Sequence, residues 1–411
     1  MSLNIVVIGA GIVGMCAASY LQRDGHAVTV LDPVPPGGST SFGNLGSMAP
    51  GSCVPLATPG ILRKVPRWLL EREGALHIAP RRLAAALPWL MRFAASAAPG
   101  RVRDIAAALN ALHAPVFECY APLLKDARAE DLVRRPGQLY VFESEESFAH
   151  SQFEIELRRS YGERQQIVGA EEIRQLEPAL ASRFVRGVFL PDAGHCLNPE
   201  QLVLRLAENF RRNGGAIAAE RVLALRPEAA AGVEIVSDGR LRRADRVVLA
   251  GGAWSNGLLR PLGAAAPLES LRGYHVVLRK AQMPRMALRF AEAKLMATPM
   301  AMGLRIGGTI EIAGLDAPPS PARARALARL GAAMFREAEP DAYTEWMGHR
   351  PGTPDSLPLI GPLPGFPSIH CAFGHGQTGL TGAATTGRLI ADLIARRPPF
   401  IDPAPYRPDR F

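Results

Sequence analysis

Cysteine is scarce in this chain. The 411 residues hold five, an odd number, at Cys16, Cys53, Cys119, Cys196 and Cys371. They are far apart, and no CxxC or Cys/His cluster has metal-ligand spacing, so neither a disulfide scaffold nor a metal site is expected. Aromatic residues make up only 6%. No aromatic pattern interleaves with the scattered basic residues, which sets aside a nucleic-acid surface. No run of about 18 apolar residues exists, which argues against a membrane-spanning helix. A secretory leader is not expected either, because the first recognisable motif begins at residue 4. Acidic charge is the minority: 38 acids stand against 47 basic residues, nearly all arginine, for a net charge of +9. That surplus suits a face toward anionic lipid better than a nucleic-acid site. The expected location is cytoplasmic, with peripheral contact at the inner face of the cell membrane. The length and the 48% apolar fraction allow two domains with substantial cores.

The most informative segment comes first. Asn4-Ile5-Val6-Val7-Ile8 reads as a strand, and Gly9-Ala10-Gly11-Ile12-Val13-Gly14 follows at once. Met15 to Arg23 continues with helical spacing, then Val28-Thr29-Val30-Leu31 forms a second strand closed by Asp32. This strand–turn–helix–strand unit with a terminal acid is a dinucleotide-binding fingerprint. Gly9 permits the tight turn, Gly11 lets a pyrophosphate approach the backbone, and Gly14 lets the helix pack on the sheet. The helix N-terminus offers N–H groups to the phosphates, and Asp32 is placed to hold a ribose.

Further along, 61 to 130 reads as helical. Its first part alternates Arg63 and Lys64 with Trp68, Leu69 and Leu70, a pattern that suits packing on protein and also lying on a membrane. Helices are also expected at 105–124, 151–160, 170–176, 321–337 and 380–395. Asn198-Pro199-Glu200 marks another helix start. Strands are expected at 139–142, 187–190, 216–226 and 246–254, then through 271–314 and at 368–372. A hairpin turns at Asp238-Gly239. The proline-rich stretch from Pro398 to Pro408 reads as an extended strap.

Glycine-rich strand ends recur far from the first one. Ala250-Gly251-Gly252-Ala253 carries no large side chain, and Gly374-His375-Gly376-Gln377-Thr378-Gly379 sits at a strand–helix junction. That helix N-terminus can face a carbonyl that gains negative charge on reduction. Three separated loops point to one long cofactor, FAD.

These residues resemble the D-amino-acid-oxidase superfamily of flavoproteins, and most closely its bacterial D-amino-acid dehydrogenases. The match rests on the fingerprint, on Ser39-Thr40-Ser41-Phe42-Gly43-Asn44-Leu45-Gly46 with Met48-Ala49-Pro50-Gly51, and on Leu271-Arg272-Gly273-Tyr274. The most specific stretch is Trp346 to Asp355 with Pro358-Leu359-Ile360-Gly361. The resemblance implies an α/β fold with a discontinuous Rossmann-like FAD-binding domain (1–58, 196–265 and 346–411) and a mixed-sheet substrate domain (59–195 and 266–345). It implies cofactor contacts from the residues above and from Ser39, Thr40, Ser41, Asn44, Leu45, Gly46, Val222 and Trp254. In this superfamily a cysteine before the Arg-Pro segment can tether the flavin. Here Met347-Gly348-His349 precede Arg350-Pro351, so FAD is expected to be held non-covalently.

Arg350 is the expected carboxylate anchor, since a guanidinium grips a carboxylate with two parallel hydrogen bonds. Tyr274 is expected to add a phenol to the same carboxylate, Met48 to line the pocket, and His375 to serve through its backbone or ring. His275 and Glu311 can each reach the pocket. The implied activity is oxidation of a D-amino acid at Cα, with the electrons passed to a quinone or other acceptor. Two alternatives stay open: oxidation of a cyclic or N-alkyl amino acid such as a D-hydroxyproline, and a flavin-bound relay or docking subunit with no substrate of its own.

Overall fold

The computed structural model describes residues 2–61, 76–228 and 232–411. The expected helical stretch around Lys64 to Leu70 therefore lies outside the described residues. A six-stranded sheet runs in the order Ala216–Ala218, Ala27–Leu31, Asn4–Ile8, Arg246–Leu249, Phe366–Phe373, Leu359–Leu363. The first five strands are parallel and the last is antiparallel. Val6, Val7 and Ile8 are buried, as a central parallel strand covered on both faces requires. The fingerprint strand thus sits mid-sheet, and its neighbour Arg246–Leu249 comes from more than two hundred residues away.

Helix Ile12–Arg23 and helix Gly379–Ile394 pack side by side on one face of this sheet. A Cβ on Gly387 would lie 2.8 Å from the backbone of Cys16, so the two helices meet backbone to backbone. All five cysteines are buried and unpaired.

A second, ten-stranded mixed sheet holds Glu269–Leu278 near one end. That strand pairs along its whole length with Tyr343–Gly352. The domain edge expected at residue 346 therefore falls inside a strand of the large sheet. A small three-stranded sheet (Ser47–Met48, Gly194–Cys196, Val133–Arg134) joins the segment after the 39–46 loop to this half of the molecule.

Several expected elements are shorter or divided. The 105–124 helix is two helices, Pro99–His113 and Val116–Ala127, interrupted at Ala114-Pro115. The 216–226 strand divides into Ala216–Ala218 and Val222–Glu228, which belong to different sheets. The 321–337 helix stops at Ala332 because Phe335 turns to bridge Leu180. The tail contains a short 3-10 turn, Ala404–Tyr406, rather than a plain strap. Tyr406 is buried and donates to the Ala108 carbonyl at 2.6 Å, and Arg410 forks onto Asp355 at 2.8 and 3.0 Å.

The helix contact generates a test. Gly387→Val should push the two helices apart and destabilise the protein by on the order of 2 kcal/mol. Thermal unfolding of the variant should show a Tm lowered by several degrees; an unchanged Tm would mean that the contact has slack.

Candidate active site

At the nucleotide end, Gly9 takes φ +112°, and a Cβ there would overlap the Ala250 carbonyl. Only glycine meets both conditions. Gly14 lies as closely on the carbonyl of Gly9. The first two glycine-rich loops are thus in contact. Asp32 accepts from Ala10 N–H at 2.7 Å and from Val34 N–H at 2.8 Å, which fixes the turn before the helix. Ser41 Oγ accepts from Ile12 N–H at 2.9 Å, bringing the 39–46 loop to the helix N-terminus. A hollow of about 420 Å³ lined by Ala218, Ala219, Glu220, Asp238 and Arg240 opens at the same strand ends. Val222 lies beside it, paired with Ser237.

The third loop is tied to the arginine segment. Gly376 N–H donates to the Pro351 carbonyl at 2.9 Å, and His375 bridges Gly352. Gly376 (φ +52°) and Gly252 (φ +56°) both border space with no atom within 4 Å of a would-be Cβ. Backbone that is bare and open at two separate loops fits a flat ring system lying across it. Gln377 is exposed, and Thr378 donates to the His375 carbonyl at 3.1 Å. Trp254 packs edge-on against His349 at 5.3 Å, and Thr40 reaches the His349 carbonyl at 3.1 Å.

The large sheet turns one face toward the 42–46 loop. Alternation along the paired strands puts Gly273, His275, Trp346, Gly348 and Arg350 on that face. A Cβ on Gly273 would overlap the Arg350 guanidinium, and one on Gly348 or Gly43 would overlap the Trp346 ring. Three glycines therefore make room for two large side chains. Arg350 donates to the Thr309 carbonyl at 2.8 Å and forms no ion pair with a described carboxylate. Burial pushes its pKa down to about 10, so it stays charged at neutral pH. Beside it, Thr309 Oγ1 is buried without a hydrogen-bond partner. Phe42, His275 and Trp346 form an aromatic wall, with His275 stacked on Trp346 at 5.2 Å and Phe42 tilted against Trp346 at 5.9 Å. Burial first, and Arg305 second, push His275 down to about 3.

Arg305 and Trp346 escaped sequence reasoning as site residues. Arg305 is almost fully buried and donates to the Phe42 and Asn44 carbonyls at 2.8 Å each. Thr298 holds the Leu45 carbonyl at 2.7 Å, and Asn44 Oδ1 accepts from Gly46 N–H at 2.8 Å. The loop that faces the open space is thus held from behind. Only strand alternation from Arg305 through Gly307 hinted at this placement.

Three expected roles are corrected. Tyr274 lies on the opposite face of its strand from Arg350. Its hydroxyl donates to Glu311 at 2.8 Å and accepts from Ser320 N–H at 2.9 Å, so it cannot share a ligand with Arg350. Glu311 is on that same far face, paired with Arg272 at 3.4 Å and Arg323 at 3.6 Å. The imidazole of His375 turns into the core onto Thr386 at 2.8 Å. Burial holds its pKa near 3, which removes it as a proton carrier and leaves its backbone in the loop. Met48 is fully buried and paired with Gly194.

A dinucleotide cradle and, on the facing sheet, a half-buried arginine without a described carboxylate partner suit a flavin-type oxidoreductase. The chain belongs to the FAD-dependent oxidoreductase (DAO) family, whose model matches residues 4–393. It is 36% identical to a D-amino-acid oxidase of Bradyrhizobium diazoefficiens over 99% of both chains. It is 32% identical to a D-amino acid dehydrogenase of Chromohalobacter salexigens over 98% of both. Among solved structures it is similar to glycine oxidase from Geobacillus kaustophilus, with a TM-score of 0.77, 20% identity, and coverage of 100% of this chain and 99% of that one. It is also similar to L-proline dehydrogenase from P. horikoshii, with a TM-score of 0.73, 19% identity, and coverage of 100% and 98%. The cofactor is FAD, bound non-covalently, and Met347-Gly348-His349 before Arg350 hold no cysteine.

The loop geometry predicts the cost of losing Asp32. Asp32→Ala strands two backbone donors, so the apo-protein should bind FAD about tenfold to a hundredfold more weakly. Titration by quenching of flavin fluorescence measures it; an unaltered Kd would separate Asp32 from the cofactor.

Proposed function

We propose that this enzyme oxidises a D-amino acid at Cα and delivers the electrons to a quinone-type acceptor. The observation that carries the reading is Arg350, a half-buried cation without a described carboxylate partner on the face of the sheet that meets the 42–46 loop. A half-buried guanidinium with one carbonyl partner has donors to spare, and a substrate carboxylate can take two of them in parallel. The names of the relatives, D-amino-acid oxidase and D-amino acid dehydrogenase, support the substrate class.

FAD, when bound, supplies the acceptor for the hydride leaving Cα. The chain supplies orientation. Arg350 holds the carboxylate, and the unpartnered Thr309 hydroxyl is a second donor in reach of the same group. The Phe42–His275–Trp346 wall keeps water from the reacting carbon. His275 remains neutral and Arg350 charged through the neutral range, so neither removes the proton of the substrate ammonium. That proton goes to solvent, and the imino acid hydrolyses to an oxo acid and ammonia after release. The aromatic wall also favours a second reading, a cyclic amino acid such as D-hydroxyproline, whose ring would lie against it. Arg350 argues against a relay subunit without a substrate.

The acceptor reading rests on helix Leu83–Ser96. Leu83, Leu87 and Met91, one turn apart, are 50, 51 and 60% exposed. Arg81, Arg82 and Arg92 flank them, the pattern of a helix lying on an anionic lipid face where quinones dissolve. No helix among the described residues is long and apolar enough to cross a membrane.

A panel of D-, L- and cyclic amino acids, mixed anaerobically with the holoenzyme, tests the substrate: only true substrates should bleach the flavin. Arg350→Ala should raise KM by about a hundredfold or more, from loss of a buried charged contact, with FAD still bound. An unchanged KM would remove Arg350 from the site. The pH profile of kcat/KM should rise with pH through the loss of the substrate's own proton. Because His275 titrates near 3 and Arg350 near 10, no enzyme inflection should appear between about pH 5 and 8. An inflection near 6 or 7 would reveal a base that this reading lacks. Oxygen uptake should be slow beside reduction of a quinone analogue; rapid uptake would make the enzyme an oxidase.

A further inference from the structure

On the far side of the small sheet that carries Ser47 and Met48, three arginines converge on a hollow that the oxidation chemistry does not use. It is about 340 Å³ and is lined by Arg134, Arg135, Pro136, His195, Leu197, Pro284, Arg285 and Pro299. That volume is at the small end for a small-molecule site. No carboxylate lines it. Arg134, Arg135 and Arg285 are exposed, and none forms an ion pair with a described carboxylate. Arg135 is steadied by the Phe117 ring at 4.1 Å, and Arg285 is held by the Gln175 carbonyl at 3.3 Å. The nearest acids are engaged elsewhere: Asp192 is forked by Arg164, and Glu177 accepts the backbone N–H groups of Arg285 and Met286.

His195 adds an independent observation. It is 2% exposed, and its Nδ1 is buried with no hydrogen-bond partner. Burial first, and Arg134 second, hold it neutral at a pKa of about 4. A buried imidazole nitrogen left without a partner is costly, and a ligand drawn to the three guanidiniums beside it can complete it. His195 is also the middle residue of the small sheet, paired with Ser47 on one side and Arg134 on the other. The proline and leucine walls are apolar and stiff, and allow a small apolar body next to the anion.

We propose that this hollow is a binding site for a phosphate monoester, with Arg134 and Arg285 gripping the phosphoryl oxygens and His195 completing the donor set. Guanidiniums match phosphate oxygens in pairs, and the absence of any lining carboxylate leaves no place for a cation. The phosphate could be carried by a soluble metabolite or by a lipid headgroup. The site is separate from the substrate and does not depend on which amine is oxidised.

The experiment compares wild-type holoenzyme with Arg134→Ala/Arg285→Ala and with a charge-matched control, Arg211→Ala/Arg212→Ala, on an exposed helix end. Calorimetric titration with phenyl phosphate should give saturable one-to-one binding. It should weaken at least tenfold in the first variant and stay unchanged in the control. Co-sedimentation with vesicles of phosphatidylcholine, with and without phosphatidic acid, tests the second source. Binding through helix Leu83–Ser96 would be equal in all three proteins, whereas headgroup capture would fail only in the Arg134/Arg285 variant. Variant-sensitive binding in the first arm assigns a soluble ligand, and in the second arm alone a lipid. The proposal is overturned if neither arm separates the two variants, or if the control loses as much. Flavin content and Tm of each protein show that the fold is intact.

Discussion

One sheet face carries two arginines that donate to backbone carbonyls and pair with no described carboxylate, and the rest of the site follows from them. Arg350 donates to the Thr309 carbonyl and Arg305 to those of Phe42 and Asn44. Burial lowers the pKa of both to about 10. Behind the opposite face, Arg272 and Arg323, the latter on helix Pro321–Ala332, share the single carboxylate of Glu311. One side of the sheet thus has a carboxylate among its arginines, and on the other no described carboxylate pairs with Arg350 or Arg305. A cation without a counter-ion is tolerated because the framework around it is fixed: ten consecutive residue pairs join Glu269–Leu278 to Tyr343–Gly352. Missing side chains at Gly273 and Gly348 provide the space for the guanidinium and the indole beside it.

The nucleotide half meets this face through the 39–46 loop, which is tied at both ends. Ser41 joins it to the N-terminus of helix Ile12–Arg23, and Arg305 and Thr298 hold its far carbonyls. The cofactor cradle and the substrate face are therefore positioned by one short segment. Its conformation depends on Gly46 (φ +73°), where a Cβ would lie only 2.6 Å from the Cys196 carbonyl oxygen.

Much of this was legible in the sequence, and for physical reasons. The fingerprint could be read because glycine spacing, β-branched runs and the acid at position 32 all depend on local geometry. Arg350 could be read because its neighbours form a distinctive string. The face on which a side chain lies was another matter. Tyr274 and Arg350 are close in the fold, yet the parity of their paired positions separates them, and parity across a ladder is invisible until the register is known. Arg305 looked like one arginine among many, since its role comes from two carbonyls some 260 residues earlier in the chain. Trp346 lay inside the recognised string, but its function as a wall depends on Gly43 across the cleft. Ala219 to Arg221 concealed a switch between sheets, because a strand that changes partners keeps its apolar pattern.

The bidentate grip of Arg410 on Asp355 has a bearing on how the enzyme matures. Asp355 lies five residues beyond Arg350, in the turn that follows the anchoring strand, and Arg410 also bonds the Leu357 and Pro358 carbonyls. Arg410 is translated after every strand of both sheets. A nascent chain can therefore build its layers and receive the nucleotide end of its cofactor while the turn behind the arginine is still unlatched. The anchoring strand and the turn behind it are thus fastened by a residue made after both.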